Sequence, residues 1–228
     1  MCGRYTQTAD ARTLAGRFRL AKLGVDVRPR WNMAPGQEGP VVFVEGGRRL
    51  GLYRWGLIPA WAKDPTIGSK MINARAETAA DKPAFRGPFQ RRRCLVPADG
   101  FYEWRKAGKA KIPVRFTRSD GAPFAFAGLW DEWTSTEGSV VRSYSVLTTE
   151  PNPLVAAVHD RMPVILTEAA EDSWLDPGAK TTELRALLVP YDAAGMRAQD
   201  ASTRVNAARN DDPSLLVAEG PLQPELWL

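Results

Sequence analysis

The sequence predicts an α+β fold: a single domain built on a curved, mainly antiparallel β-sheet or small β-barrel, with short flanking helices. Three observations predict it. Short β-rich runs recur along the chain, separated by turn-prone Gly and Asp clusters. Helical spacing of apolar residues appears only in brief stretches. No repeat, low-complexity segment or Pro/Gly-rich linker divides the 228 residues, a length that allows one sizeable core. We therefore expect one domain over residues 1–228, with those after about 216 forming a loose C-terminal tail.

The elements follow in order. Thr8 reads as a helix cap with Asp10 in the first turn, where a carboxylate favours the helix dipole. Leu14, Phe18 and Ala21 fall at helical spacing, and Gly24 reads as the stop. Asn32-Met33-Ala34-Pro35-Gly36 reads as a rigid turn. Residues 40–45 and 48–55 form a hairpin through Gly46-Gly47, with Trp55 in the core. Further strands are expected over 93–97, 100–105, 111–118, 123–130 and 140–149. Ala107-Gly108, Ser119-Asp120-Gly121 and Thr136-Glu137-Gly138 separate them. Residues 162–166 read as another strand, and 153–158, 168–175 and 182–188 as short helices.

Composition bounds the function. Apolar residues make up 44% and charged residues 25%, which excludes disorder over most of the chain. The net charge is +5, and its distribution is uneven. Through Arg30 the basic residues are Arg4, Arg12, Arg17, Arg19, Lys22, Arg28 and Arg30, against Asp10 and Asp26 alone. Arg86 and Arg91-Arg92-Arg93 form a second basic run. Such runs are either solvated faces or phosphate contacts. Two Cys and one His exclude a zinc finger or a Cys/His metal cluster, so no metal and no cofactor are expected. Charged and polar residues begin at Arg4, which argues against a signal peptide. No apolar stretch approaches the roughly 18 residues of a membrane helix. The expectation is a soluble, cytoplasmic monomer.

Cys2 carries the most specific chemistry. Loss of Met1 would leave an amine and a thiol on one residue. Such a 1,2-aminothiol condenses with an aldehyde to a Schiff base, and the thiol then closes on the imine carbon to give a thiazolidine. Ordinary pKa values of about 7.7–8.0 for the amine and about 8.5 for the thiol leave useful nucleophile at neutral pH. The plainer alternative is a frayed terminus or a small buried hydrophobe. His159, the sole histidine, lies in Val158-His159-Asp160-Arg161-Met162-Pro163 and is either structural or a proton shuttle. In a strand Glu103 shares a face with Phe101, while Tyr102 and Trp104 share the other. Glu103 is then either exposed at an edge or held in a pocket that raises its pKa. Asn73 can both donate and accept, so it can orient an amine or a hydroxyl; in a strand Arg75 shares its face and can reach phosphate. Supporting a turn and a surface ion pair are their structural alternatives. Trp61 can stack on a base, an interaction worth about 1–3 kcal/mol. Cys94 reads as a buried structural thiol.

Taken together and in order, these segments resemble the SRAP family (SOS response-associated peptidase). The resemblance rests on Met1-Cys2-Gly3-Arg4-Tyr5, Asn32-Met33-Ala34-Pro35-Gly36, Trp55-Gly56-Leu57-Ile58-Pro59 and 72–78 (Ile72-Asn73-Ala74-Arg75-Ala76-Glu77-Thr78). It continues through 93–104 and His159-Asp160-Arg161-Met162-Pro163, and Val205-Asn206 fits the family's C-terminal region. The resemblance implies a division of labour. Cys2 would attack an abasic site in single-stranded DNA, and Asn73 would hold its amine or the opened sugar. Glu103 would be the general acid/base, and would take part in self-processing and crosslink reversal. His159 would promote ring opening. Arg4, Arg75 and Arg161 would contact flanking phosphates, with Trp61 as a wedge. Some relatives carry two adjacent Trp where this chain has Trp61-Ala62. The protein would be nucleoid-associated when bound to DNA. The competing functions are a thiol peptidase acting in trans and a non-catalytic single-strand-binding module.

Overall fold

A computed structural model describes residues 2–21, 24–108 and 110–217. The expected tail falls almost wholly in 218–228, outside the described residues, as does Lys22 of the N-terminal basic run. In chain order the elements are β1 (Arg4–Gln7), α1 (Ala11–Phe18), β2 (Arg30–Met33), β3 (Glu38–Val44), β4 (Arg48–Trp55), β5 (Asn73–Arg75), α2 (Ala76–Ala79) and α3 (Arg86–Arg91). There follow β6 (Arg93–Ala98), β7 (Gly100–Ala107), β8 (Ala110–Arg118), β9 (Phe124–Thr134), β10 (Val140–Thr149) and α4 (Pro153–Ala156). The last are β11 (Met162–Pro163), β12 (Ile165–Leu166), α5 (Glu168–Leu175), α6 (Thr181–Ala186) and β13 (Met196–Asp200).

Five strands close on themselves. β10 pairs with β4, β4 with β3, β3 with β6, β6 with β9, and β9 returns to β10. Only the β10–β4 pairing in this ring is parallel. Closure removes the free edges that an open five-stranded sheet would present. The short strands β5 and β11 lie against β10, and β12 against β9. A second, antiparallel sheet runs β13-β8-β7-β1-β2. The expected α+β fold with a small barrel and short helices is what the chain adopts.

Alternation along each barrel strand divides the core. Val41, Phe43, Cys94 and Val96 pack with Trp55, Phe126 and Tyr144 in one cluster. Val42 and Leu95, the intervening residues, pack with Phe18, Phe89, Leu129 and Trp174 in another. A pleated strand sends successive side chains to opposite faces, so a strand buried on both sides reads as a continuous apolar run. Helices α1, α3 and α5 supply the outer cover through Phe18, Phe89 and Trp174, all fully buried. At Gly56, φ is +121°, and a Cβ would sit 2.6 Å from the Gly68 carbonyl oxygen. Only glycine lets the chain leave β4 this close to a neighbouring backbone.

Several boundaries differ from expectation for local reasons. Asp10, not Thr8, caps α1, accepting from the Thr13 backbone N–H at 2.7 Å. Thr8 is engaged elsewhere, donating its hydroxyl to Asp99 at 2.7 Å. The helix ends at Arg19, whose left-handed φ of 51° closes it well before Gly24, so Ala21 is not helical. Asn32 and Met33 belong to β2, and the turn is confined to the next residues, with Gly36 at φ 85°. Residues 162–166 form two two-residue strands on different neighbours. Cys2 and Cys94 are both free and buried.

An ionic staple fixes α1 against α5. Arg17 forms a forked pair with the buried Glu171 at 3.1 and 2.6 Å, and Arg48 approaches the same carboxylate at 3.6 Å. The Arg17 and Arg48 side chains are only 12% and 9% exposed. Removing Glu171 would leave the largely buried Arg17 with only the exposed Glu168, 3.5 Å away, as an ion-pair partner among the described residues, while Arg48 keeps Asp172 at 2.6 Å. Glu171→Ala is expected to cost about 3–5 kcal/mol of stability, read as a lower urea midpoint. A loss below about 1 kcal/mol would show that the pair merely balances its own desolvation.

Candidate active site

The site grows from the end of the β1–β7 ladder. Arg4 pairs with Tyr102, Tyr5 with Phe101 and Thr6 with Gly100. Pairing on that side stops there, so Cys2 lies just beyond the ladder, where β7 continues as Glu103 and Trp104. Cys2 is fully buried. Burial raises its thiol pKa far above the ordinary value, and the negative charge of Glu103 pushes the same way. The barrel supplies the opposite wall. β5 runs parallel to β10, pairing Asn73 with Val146. From there the Asn73 side chain donates Nδ2 to the Cys2 carbonyl at 2.8 Å, and its Oδ1 is buried with no hydrogen-bond partner among the described residues.

Glu103 takes the pocket, not the exposed edge. It is 2% exposed, and burial lifts its carboxyl to about 7, with the Asp160 carboxylate adding to the rise. His159 enters from the turn after α4, a helix capped by Asn152 through the Val155 N–H. Its Nε2 lies 4.0 Å from Glu103 Oε2. Its Nδ1 accepts the Arg161 backbone N–H at 3.0 Å, which places the proton of the neutral ring on Nε2, toward Glu103. Nδ1 also lies 3.0 Å from the exposed Asp160 carboxylate, an approach that forms a hydrogen bond only when Nδ1 carries a proton. Partial burial lowers the His159 pKa, which favours the neutral tautomer. Glu103, Trp104, Lys106, His159, Asp160 and Asn206 line a cleft of about 850 Å³.

The four residues expected to act chemically thus converge. The four expected to hold DNA do not share one environment. Arg75 is exposed and forms no ion pair among the described residues. Arg161 is committed to Glu77, in a forked pair at 2.6 and 2.9 Å, and to the Thr148 carbonyl at 2.6 Å. Arg4 points its guanidinium inward, donating to Asn32 Oδ1 at 2.9 Å and to the Val205 carbonyl at 2.7 Å. Burial lowers the Arg4 pKa. Trp61 is 61% exposed and lines a separate recess with Arg86 and Arg91. Sequence reasoning missed Trp104 and Asn206, whose side chains meet at 2.7 Å on the cleft wall. The signal was thin: a Trp on the Tyr102 face of a strand, and an Asn in the C-terminal segment.

The fold and site define a small-barrel protein with a thiol, a carboxyl and an imidazole gathered at its amino-terminal strand. Comparison with known proteins sharpens this. Residues 1–208 match the family model described as SOS response associated peptidase (SRAP). The abasic site processing protein YoqW of Bacillus subtilis is 44% identical over 223 residues, covering 95% of this chain and 99% of that protein. The abasic site processing protein HMCES of Gallus gallus is 32% identical over 224 residues, covering 83% of this chain and 66% of that protein. A crystal structure of a protein from Bacteroides thetaiotaomicron superposes with a TM-score of 0.88 at 29% identity, covering 96% of this chain and 100% of that one. The chain belongs to the SRAP family.

Proposed function

We propose that this protein processes abasic sites in single-stranded DNA by forming a covalent thiazolidine through Cys2 once Met1 has been removed. The observation that carries the reading is a residue-two thiol buried beside a carboxyl whose pKa is about 7, itself 4.0 Å from an imidazole nitrogen. Relatives named for abasic-site processing support the choice of aldehyde. The steps balance. The Cys2 amine adds to the C1′ aldehyde of the opened sugar and water leaves, giving an imine. The thiol then adds across the C=N bond, with its proton passing to nitrogen. Each step needs a group that gives and takes a proton near neutral pH, which Glu103 supplies. His159, on the wall of the same cleft with Nε2–H toward Glu103, would protonate the sugar ring oxygen, and Asn73 holds the Cys2 backbone. Arg75, exposed, two residues from Asn73 in β5 and without an ion pair among the described residues, would meet a flanking phosphate.

A peptidase acting in trans fits less well. Such enzymes activate the thiol with an imidazole, whereas here the Cys2 thiol lies 3.8 Å from the Arg4 carbonyl and His159 Nε2 faces Glu103. The test is an abasic oligonucleotide run on a denaturing gel with the protein. A shifted band is expected with the free aldehyde and none after methoxyamine capping. Equal bands with both would sink the reading.

A further inference from the structure

We propose that the tip of the β7–β8 hairpin carries one arm of the bound strand: Lys106 and Lys111 grip a backbone phosphate next to the lesion, and Trp104 stacks on the adjoining base. This rests on the reading that the lesion reacts at Cys2.

The β1 ladder ends at the Arg4–Tyr102 pair, and residues 103–107 of β7 run on beyond it. That stretch lines the same cleft as His159. Lys106 and Lys111 are paired directly across the hairpin, and both are exposed. Like charges in that position repel, and an anion between them relieves the cost. Among the described residues, Arg105 meets Asp200 at 3.0 Å, and Arg161 meets Glu77. Among the described residues neither Lys106 nor Lys111 has a carboxylate within ion-pair distance.

Trp104 shares a strand face with Lys106. Its ring is half-buried against Tyr102 and Val205, and its indole N–H is held by Asn206 Oδ1 at 2.7 Å. A ring fixed at its polar end stacks on any base at little entropic cost. The cleft, at about 850 Å³, exceeds what a single deoxyribose fills. Aromatic platform and cation pair together have the composition of a sequence-tolerant single-strand channel.

The test uses Lys106→Glu/Lys111→Glu and, separately, Trp104→Ala, with three oligonucleotides: the lesion central, at the 5′ end, or at the 3′ end. Affinity is read by fluorescence anisotropy on the lesion reduced to its alcohol, which cannot condense with Cys2, so binding is scored even if no adduct ever forms. Crosslinking of the unreduced lesion is scored in parallel and speaks to the Cys2 reading alone. Both variants should bind the central lesion and one end-lesion oligonucleotide about tenfold more weakly, and leave the other unchanged. The double variant should also show a shallower salt dependence, by about 0.7 in log–log slope for each phosphate it no longer neutralises. Unchanged affinity for all three would overturn the proposal and leave the lysines as solvated charges on the hairpin. Equal weakening on both end-lesion oligonucleotides would overturn it too, reducing the effect to general charge.

Discussion

Cys2→Ala is expected to abolish the durable adduct with abasic DNA while leaving noncovalent affinity for the strand within about twofold. The substitution keeps a small residue at position two, so an amine still forms when Met1 is lost. That amine can make an imine but has no sulfur to close the ring. The imine persists long enough to lose the 3′ phosphate by β-elimination. Strand cleavage should therefore rise as the heat-stable band disappears, both read on one denaturing gel. A variant that still gave a heat-stable band would place the nucleophile elsewhere. A loss of binding equal to the loss of adduct would recast the protein as a simple binding module.

Glu103→Gln is the second large effect. General acid/base catalysis contributes about 10²–10⁴-fold, and a carboxyl titrating at about 7 is suited to it. Crosslinking should slow by that order, and the part of its pH profile centred near 7 should flatten. Stability should move the opposite way. The folded carboxyl titrates at about 7, above its ordinary value, because burial disfavours the charged form. The folded state then holds the proton more tightly than the unfolded chain between about pH 4.5 and 7. Wild-type stability declines as pH rises through that window and stays lower above it. Gln carries no charge and escapes the penalty, so the variant should melt higher than wild type at pH 8 and close to it at pH 4. A gain confined to acid pH would show that Glu103 is ionised and stabilised in the fold.

How much of this was legible in the sequence depended on the range of the interaction. Hairpins bounded by Gly46-Gly47 or Thr136-Glu137-Gly138 were legible because alternation and turn chemistry are local. β4, β10 and α5 have the expected limits. The end of α1 was not legible, because Arg19 closes it in a conformation that Gly24 would have taken more easily. The fate of the basic run was hidden for the same reason. Arg93 is not on a solvated face; it is buried, donating to the carbonyls of Phe89, Gln90, Trp174 and Asp176 where α3 and α5 end. Arg92 pairs with Asp131 and lies over the Trp130 ring. Partners 81 and 83 residues away leave no mark on a local pattern.

The site divides along the same line. Residue types and motif order pointed to Cys2, Asn73, Glu103 and His159, and the fold brings all four together through β1, β5, β7 and the turn after α4. Alternation left Glu103 undecided between edge and pocket, because its burial depends on the segment around His159 closing over it. Nor could it show that Arg4 is tied to Val205 across 201 residues. Arg4 and Asn32 together clasp the 205–210 segment, which steadies β1 and carries Asn206 to Trp104.

The most direct test is intact mass spectrometry of the protein before and after incubation with an abasic oligonucleotide. We expect a chain lighter by one methionine residue, then a product equal to that chain plus the oligonucleotide minus one water. An adduct found only on chains that still carry Met1 would contradict the account, since an amide nitrogen cannot close the five-membered ring.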